Sequence, residues 1–339
     1  SDMNFAWTIG SNLFWCASSL VIFSAFVCEP AHGAPPLIKT KGQPDDGPSL
    51  GSSKKAIVLQ FPDKSMGTIF LIPKRHVADE SEPPTESKLE AKGMVVLPPR
   101  SKILLKLNFE GLENIAALDK LPVENVFAFN LKRLLVTEKD CRHLARFKNI
   151  ESLELQSSDV TSDAIKALAP LKNLRFLGIN KTLVKADVTR HLAQFPKLKS
   201  VSLGHNELAG ADYTPLAGLK MLRNLHVDNV RLNDKGVESI SKISSLTYIK
   251  MSGNNLVSDR SAANLAKLHL VALNIQDTGI GPKSIPYLST MKTLKHLKLE
   301  DRNFKPADKA KLKKGLPNTT LQFDRNHSGL PTELFDPLK

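Results

Sequence analysis

One short apolar phrase returns every 24 residues along this chain, and that beat constrains the fold more than any other feature. Its clearest copies are Ile150-x-x-Leu153-x-Leu155, Leu174-x-x-Leu177-x-Ile179, Leu198-x-x-Val201-x-Leu203 and Leu222-x-x-Leu225-x-Val227. Leu246-x-x-Ile249-x-Met251, Leu270-x-x-Leu273-x-Ile275 and Leu294-x-x-Leu297-x-Leu299 keep the register. Stepping back by the same interval meets Phe129/Leu131 and Leu105/Leu107, and stepping forward meets Leu321/Phe323. Such a fixed period means a stacked array, because one unit alone cannot bury its apolar face.

The alternation Leu-x-Leu predicts a short strand with its apolar side inward. Three residues on, Ser158, Thr182, Asn206, Asn254 and Thr278 supply polar groups that can satisfy backbone atoms at a bend. Glu110, Leu134, Val230 and Arg302 occupy that slot instead, so Val230 predicts a gap in mid-column. Apolar residues spaced by three follow, as in Cys141/Leu144/Phe147, Ile165/Leu168/Leu171, Tyr213/Leu216/Leu219, Val237/Ile240/Ile243 and Ile285/Leu288/Met291. That spacing predicts a short helix with one buried face, started by caps such as Thr161-Ser162-Asp163 and Asn233-Asp234.

This pattern resembles the leucine-rich repeat family, in the bacterial form with helical backs. The resemblance covers residues 102–325, about two thirds of the chain. It implies a right-handed α/β solenoid with a parallel sheet on the concave face and short helices on the convex face. It also implies non-enzymatic recognition of a protein or another macromolecule by the concave sheet.

Residues 1–33 contain no Lys or Arg, and 5–27 form an uncharged, largely apolar run. Ala31-His32-Gly33 then places small residues where a signal peptidase reads. A cleaved export signal is expected over 1–33, with an uncleaved membrane anchor as the alternative. Cleavage after Gly33 would remove Asp2 and Glu29 and raise the formal charge from +13 to +15. Residues 34–53, rich in Pro, Gly and Ser, read as a flexible linker, and 54–101 as a small β-rich N-terminal cap. Within that cap, 56–61 and 67–72 read as a strand pair and 73–92 as an exposed loop. Residues 326–339 read as a closing tail.

Past the leader, Cys141 stands alone in a repeat position otherwise filled by Ile165, Val237 and Ile285. It reads as a core thiol rather than a nucleophile, and no disulfide framework exists. Export without disulfides points to a bacterial periplasmic, surface or secreted protein. No phosphate-cradling Gly loop, nucleophile elbow or His-Glu-x-x-His occurs, and His143 and His191 read as surface residues, so no catalytic, metal or cofactor residue is assigned.

The informative surface is the outward side of the strands. Side chains flanking the inward pair must face the concavity. The expected partner-binding residues there are Arg175, Phe176, Ser200, Ser202, Asn224, His226, Tyr248, Lys250, Asn274, His296 and Lys298, with Phe176 and Tyr248 as exposed aromatics. A monomer is expected, and no nucleic acid. The basic excess, with a pI near 9.5, includes Arg142, Arg146, Lys148, Lys166, Lys172, Arg190, Lys220, Lys242 and Lys267 in the outer halves of the repeats, and Lys309, Lys311, Lys313 and Lys314 in the last. Read as diffuse charge, it makes an anionic cell-envelope polymer the alternative partner. An enzyme built on Cys141 is the remaining class.

Overall fold

The structure, a computed structural model, describes residues 55–72 and 88–324. The leader, the linker, most of the 73–92 loop and the tail lie outside the described residues.

Each copy of the apolar phrase makes a short strand, and the strands stack in sequence order. From Ser152–Glu154 through Phe176–Gly178, Ser200–Ser202, Asn224–His226, Tyr248–Lys250, Ala272–Asn274, His296–Glu300 and Thr320–Asp324, every neighbour is parallel. The partners Ser152↔Phe176↔Ser200↔Asn224↔Tyr248↔Ala272↔His296↔Thr320 are each 24 residues apart. Sequence period and structural register are therefore the same quantity. The inward residues Leu153, Leu177, Val201, Leu225, Ile249, Leu273 and Leu297 are buried and join one continuous apolar core.

The segments returning from strand to strand are helical on the back. Thr161 accepts from the Ala164 N–H at 3.4 Å and Asn233 from the Gly236 N–H at 3.0 Å, capping Ser162–Ala167 and Asp234–Ile240. One back differs from expectation. Thr214–Gly218 is a 3-10 turn, closed by the Leu216 N–H on the Tyr213 carbonyl and the Leu219 N–H on the Leu216 carbonyl, both at 3.0 Å, and Gly218 favours α-helix poorly.

At the N-terminal end the strands exist but pair otherwise than the sequence suggested. Ile57–Gln60 pairs antiparallel with Met94–Leu97, forming a separate two-stranded sheet. Gly67–Ile72 instead pairs antiparallel with Lys102–Leu107, Ile69 opposite Leu105, and so extends the repeat sheet. The physical reason is that Lys102–Leu107, at the end of the parallel run, offers a full six-residue ladder. A hairpin between the two early strands would leave that buried edge unpaired. Lys88–Glu90 is a strand on the far side of Gly67–Ile72, where a loop was expected.

Candidate functional site

The face of the sheet away from the helices carries two outward columns per strand and a third just beyond. At its centre, in the repeats from residue 200 to 250, five side chains converge. Tyr248 and His226, on adjacent strands, meet edge to face with ring centroids 5.1 Å apart. The Asp228 carboxylate lies 3.5 Å from Lys250 Nζ and 3.2 Å from His205 Nε2. Burial, and then the Lys250 ammonium, drives the His226 imidazole down to about 4 against the opposing pull of Asp228. The ring is therefore neutral at physiological pH.

Tyr248 is only 2% exposed, which corrects the expectation of an exposed aromatic. It has not entered the core, and the register is unbroken. Its neighbours across the sheet are Asn224 and Ala272, both buried, and the His226 ring covers it from the side. On a sheet whose outward columns are 4.7–4.9 Å apart, a tyrosine flanked by side chains on both sides loses its solvent to them. Asn224 and Asn274 are buried in the same way, and Asn274 accepts from the Gln276 N–H at 3.1 Å.

The basic residues of this face are also less available than their spacing implied. Lys250 is held by Asp228, and Lys298 by Asp324 at 2.7 Å. Arg175, at the sheet margin, binds Glu151 at 3.2 Å. Lys132 lies 3.8 Å from Glu154, whose carboxyl is pushed up by burial despite that lysine. Phe176, Ser200, Ser202 and His226 remain half-buried, while His205 and His296 are exposed. The structure thus brings the expected residues onto one face, but as a platform whose charges are largely satisfied within it.

Asp228 and His205 escaped sequence reading because they sit two and three residues past their strands, where the chain turns. Arg133, Ser157, Lys181, His205, Asn229 and Asp277 all have φ between +51° and +64°, and Gly253 has +72°. They share one slot of the repeat. From it the His205 N–H donates to the Asp228 carbonyl at 2.8 Å and the Asn229 N–H to the Ser252 carbonyl at 2.9 Å. Asn, Asp and Gly in that slot are the left-handed signal that marks the turn.

Beneath the turns runs the inward polar column. Ser158 Oγ donates to the Leu155 carbonyl at 2.6 Å, and Thr182 and Thr278 make the same bond to Ile179 and Ile275. Asn206 Nδ2 donates to the carbonyls of both Leu203 and Ile179, tying its repeat to the one before at 2.8 and 2.7 Å. A polar ladder under left-handed turns, repeated at the strand register, decides the fold. This is a leucine-rich repeat solenoid.

No protein-family model matches the chain, and no curated protein matches it in sequence. Among solved structures it is similar to an internalin from Listeria monocytogenes, with 19% identity and a TM-score of 0.48. That match covers 60% of this chain and 55% of the internalin, so the chain spans about half of its length. It is also similar to internalin C2 from the same organism, with 22% identity and a TM-score of 0.41, covering 62% of this chain and 84% of that one. The assignment to leucine-rich repeats rests on the ladder and the register.

The gap expected at Val230 is closed by the next repeat. Asn254 Oδ1 accepts from the Val230 and Leu232 N–H groups at 3.1 and 2.9 Å, while its Nδ2 donates to the Val227 and Met251 carbonyls at 2.8 Å. One asparagine of the leucine-rich repeat ladder serves two turns. Cys141 is fully buried in its core slot, and burial, with lesser help from Asp140 and Glu138, pushes its thiol up to about 12. So protonated a thiol is a poor nucleophile.

Proposed function

We propose that this protein is a non-enzymatic, exported recognition protein that captures a protein partner on the open face of its leucine-rich repeat sheet. The observation that carries the reading is the set of charges and rings at its centre. Asp228, Lys250, His226 and Tyr248 hold one another in place before any partner arrives. A surface whose side chains are already ordered loses little entropy on binding. Around it stand half-buried Phe176 and the hydroxyls of Ser200 and Ser202, an aromatic anchor beside adaptable hydrogen-bonding groups. Export rests on the apolar run of residues 5–27 and the small residues before Ala34.

A photo-cross-linking residue at position 202 should trap one defined partner, and the same residue at exposed Lys166 on the helical side should not. Phe176→Asp should abolish the trapping without moving the thermal midpoint. Equal trapping from both positions would refute the open face as the site. Retention of residues 1–33 on the mature protein, read by N-terminal peptide mass, would refute cleavage.

A further inference from the structure

The basic excess is not diffuse. The register sorts it onto one edge of the solenoid. The segments that carry the chain from helix back to strand are 146–151, 170–175, 194–199, 218–223, 242–247, 266–271, 290–295 and 314–319. Together they contain thirteen Lys or Arg and one acid, Glu151. The opposite turns, from strand to helix, are 156–163, 180–187, 204–211, 228–235, 252–259, 276–283 and 300–307. They contain ten acids and seven basic residues. A nearly neutral edge therefore faces one that carries about the whole net charge of the chain, +13.

The structure ties the basic segments side by side. The Lys199 N–H donates to the Arg175 carbonyl and the Arg223 N–H to the Lys199 carbonyl, both at 2.8 Å. Lys197 Nζ reaches Asn173 Oδ1 at 2.9 Å, and Asn173 Nδ2 reaches the Lys148 carbonyl at 3.0 Å. A second row, Lys148, Lys172, Lys220 and Lys292, occupies one repeat slot two residues before the first leucine, and all four are exposed. Eight strands at their usual spacing make this edge about 34 Å long. Three acids of the opposite edge are occupied within it: Asp234 accepts from Ser258 Oγ at 2.6 Å, Asp259 from the Gly281 N–H at 2.7 Å, and Asp187 from Ser162 Oγ at 2.7 Å.

Helix ends explain part of this sorting. Helix N-termini favour acids and C-termini favour cations, and each edge collects one kind of end. That field fades beyond the last turn of helix. Arg223 and Lys295 lie past it, at the start of the next strand, and the helices are only four to seven residues long between Ser162 and Leu288. Arg146 and Arg175 pair with Asp119 and Glu151, and the rest of this line of cations, one repeat apart, still has more charge than these helices use.

We infer that this helix-to-strand edge is a docking rail for an extended polyanion of phosphate groups, lying along the stack and touching one or two cations per repeat. It is a different surface from the open face, and it does not depend on what that face binds. The pairing would be electrostatic, set by spacing and indifferent to side groups on the polymer.

The test uses the full chain and two probes, long-chain inorganic polyphosphate and oligothymidylate, titrated across a range of salt. An edge variant combines Lys148→Glu, Lys172→Glu, Lys220→Glu and Lys267→Glu. A control of equal charge change combines Lys181→Glu, Lys185→Glu, Lys235→Glu and Lys283→Glu on the opposite edge, all exposed. The edge variant should lose at least about tenfold in affinity and lower the salt slope by about 3, while the control stays within about twofold. The Phe176→Asp variant should bind both probes like the wild type, which separates this inference from the open-face reading. A preference for one probe identifies the source of the phosphate, and equal binding leaves the shared chemistry as the recognised feature. Should the Glu variant unfold, the four Lys→Gln changes at the same sites carry the comparison. Phosphatidylglycerol vesicles are titrated alongside as a membrane control; equal losses in both variants, no binding of either probe, or binding to the vesicles alone would each overturn the rail.

Discussion

The carboxylate of Asp228 occupies the space that a side chain at Gly204 would need: a Cβ there would meet Asp228 Oδ1 at 2.7 Å and Cγ at 2.8 Å. The glycine makes room for the acid, and the acid in turn holds Lys250 and His205. A similar contact occurs one repeat earlier, where the Glu154 carboxylate overlies Gly178. Gly204→Ala should therefore cost about 1–3 kcal/mol, the range for forced overpacking. Gly218→Ala, where a Cβ meets nothing within 4 Å, should be neutral or add about 0.4–1 kcal/mol. Urea-unfolding midpoints of the two variants decide it.

Removing the acid tests the pair from the other side. Asp228→Asn leaves the Lys250 ammonium, 16% exposed, without its carboxylate. The expected loss is about 3 kcal/mol, the low end for a broken buried pair because some solvent reaches Lys250. Adding Lys250→Met should restore part of it, and a double-mutant cycle by chemical unfolding measures the coupling. An unmoved midpoint in Asp228→Asn would mean that the pair carries no stability.

His226 should make the fold sensitive to mild acid. Its imidazole titrates near 4 in the folded chain against an ordinary 6.5, so between those values the unfolded chain binds more protons. Stability is then complete above pH 6.5 and falls as pH drops toward 4, by about 3 kcal/mol in all. Asp234 does not contribute in this window. Burial alone would raise its carboxyl, but hydrogen bonds from Ser258 and Ser261 hold it below its usual value, so its stabilisation is lost only at lower pH. Urea unfolding at pH 7 and pH 5 should differ in the wild type and differ much less in His226→Phe.

Asn254 should be the costliest ladder residue to lose. It is 1% exposed and bridges two turns through both ends of its amide. Asn254→Ala strands the Val230 and Leu232 amides and two carbonyls, and should cost about 3 kcal/mol or more. Its exposed neighbour gives the reference: Asn255→Ala should stay within about 0.5 kcal/mol. Thermal melts of the pair suffice.

Cys141 should resist thiol reagents in the folded protein, being buried and strongly protonated at neutral pH. Peptide-resolved alkylation should leave it unmodified in buffer and label it fully in denaturant. Labelling of Cys141 in buffer, at a rate independent of unfolding, would contradict its core position.

Much of this was legible from the sequence because a 24-residue period is a local property that stacking converts directly into register. Leu153, Leu177 and Val201 follow from the apolar phrase alone, as do the inward Ser158, Thr182 and Asn206. The exceptions share a cause. Tyr248 is covered by His226 from another repeat, the turn at Val230 is satisfied by Asn254 from the next, and the carboxylate lying against Gly204 comes from residue 228. In each case the deciding neighbour is about a full repeat away along the chain. The pairing of the early strands departs from the expected hairpin for a related reason. Which partner Gly67–Ile72 takes depends on the unpaired edge at Lys102–Leu107.

The repeat, its strand, bend and back, and the inward columns follow from the amino acids alone, since each is set by residues within one period. The amino acids also carry the sorting of charge to one edge, which became visible once the period was given spatial meaning. Which outward side chains stay available depends instead on how the repeats stack. Strands less than 5 Å apart make every outward residue a neighbour of residues 24 positions before and after. Exposure on the open face is therefore settled by those neighbours, and not by the residue's own place in the repeat.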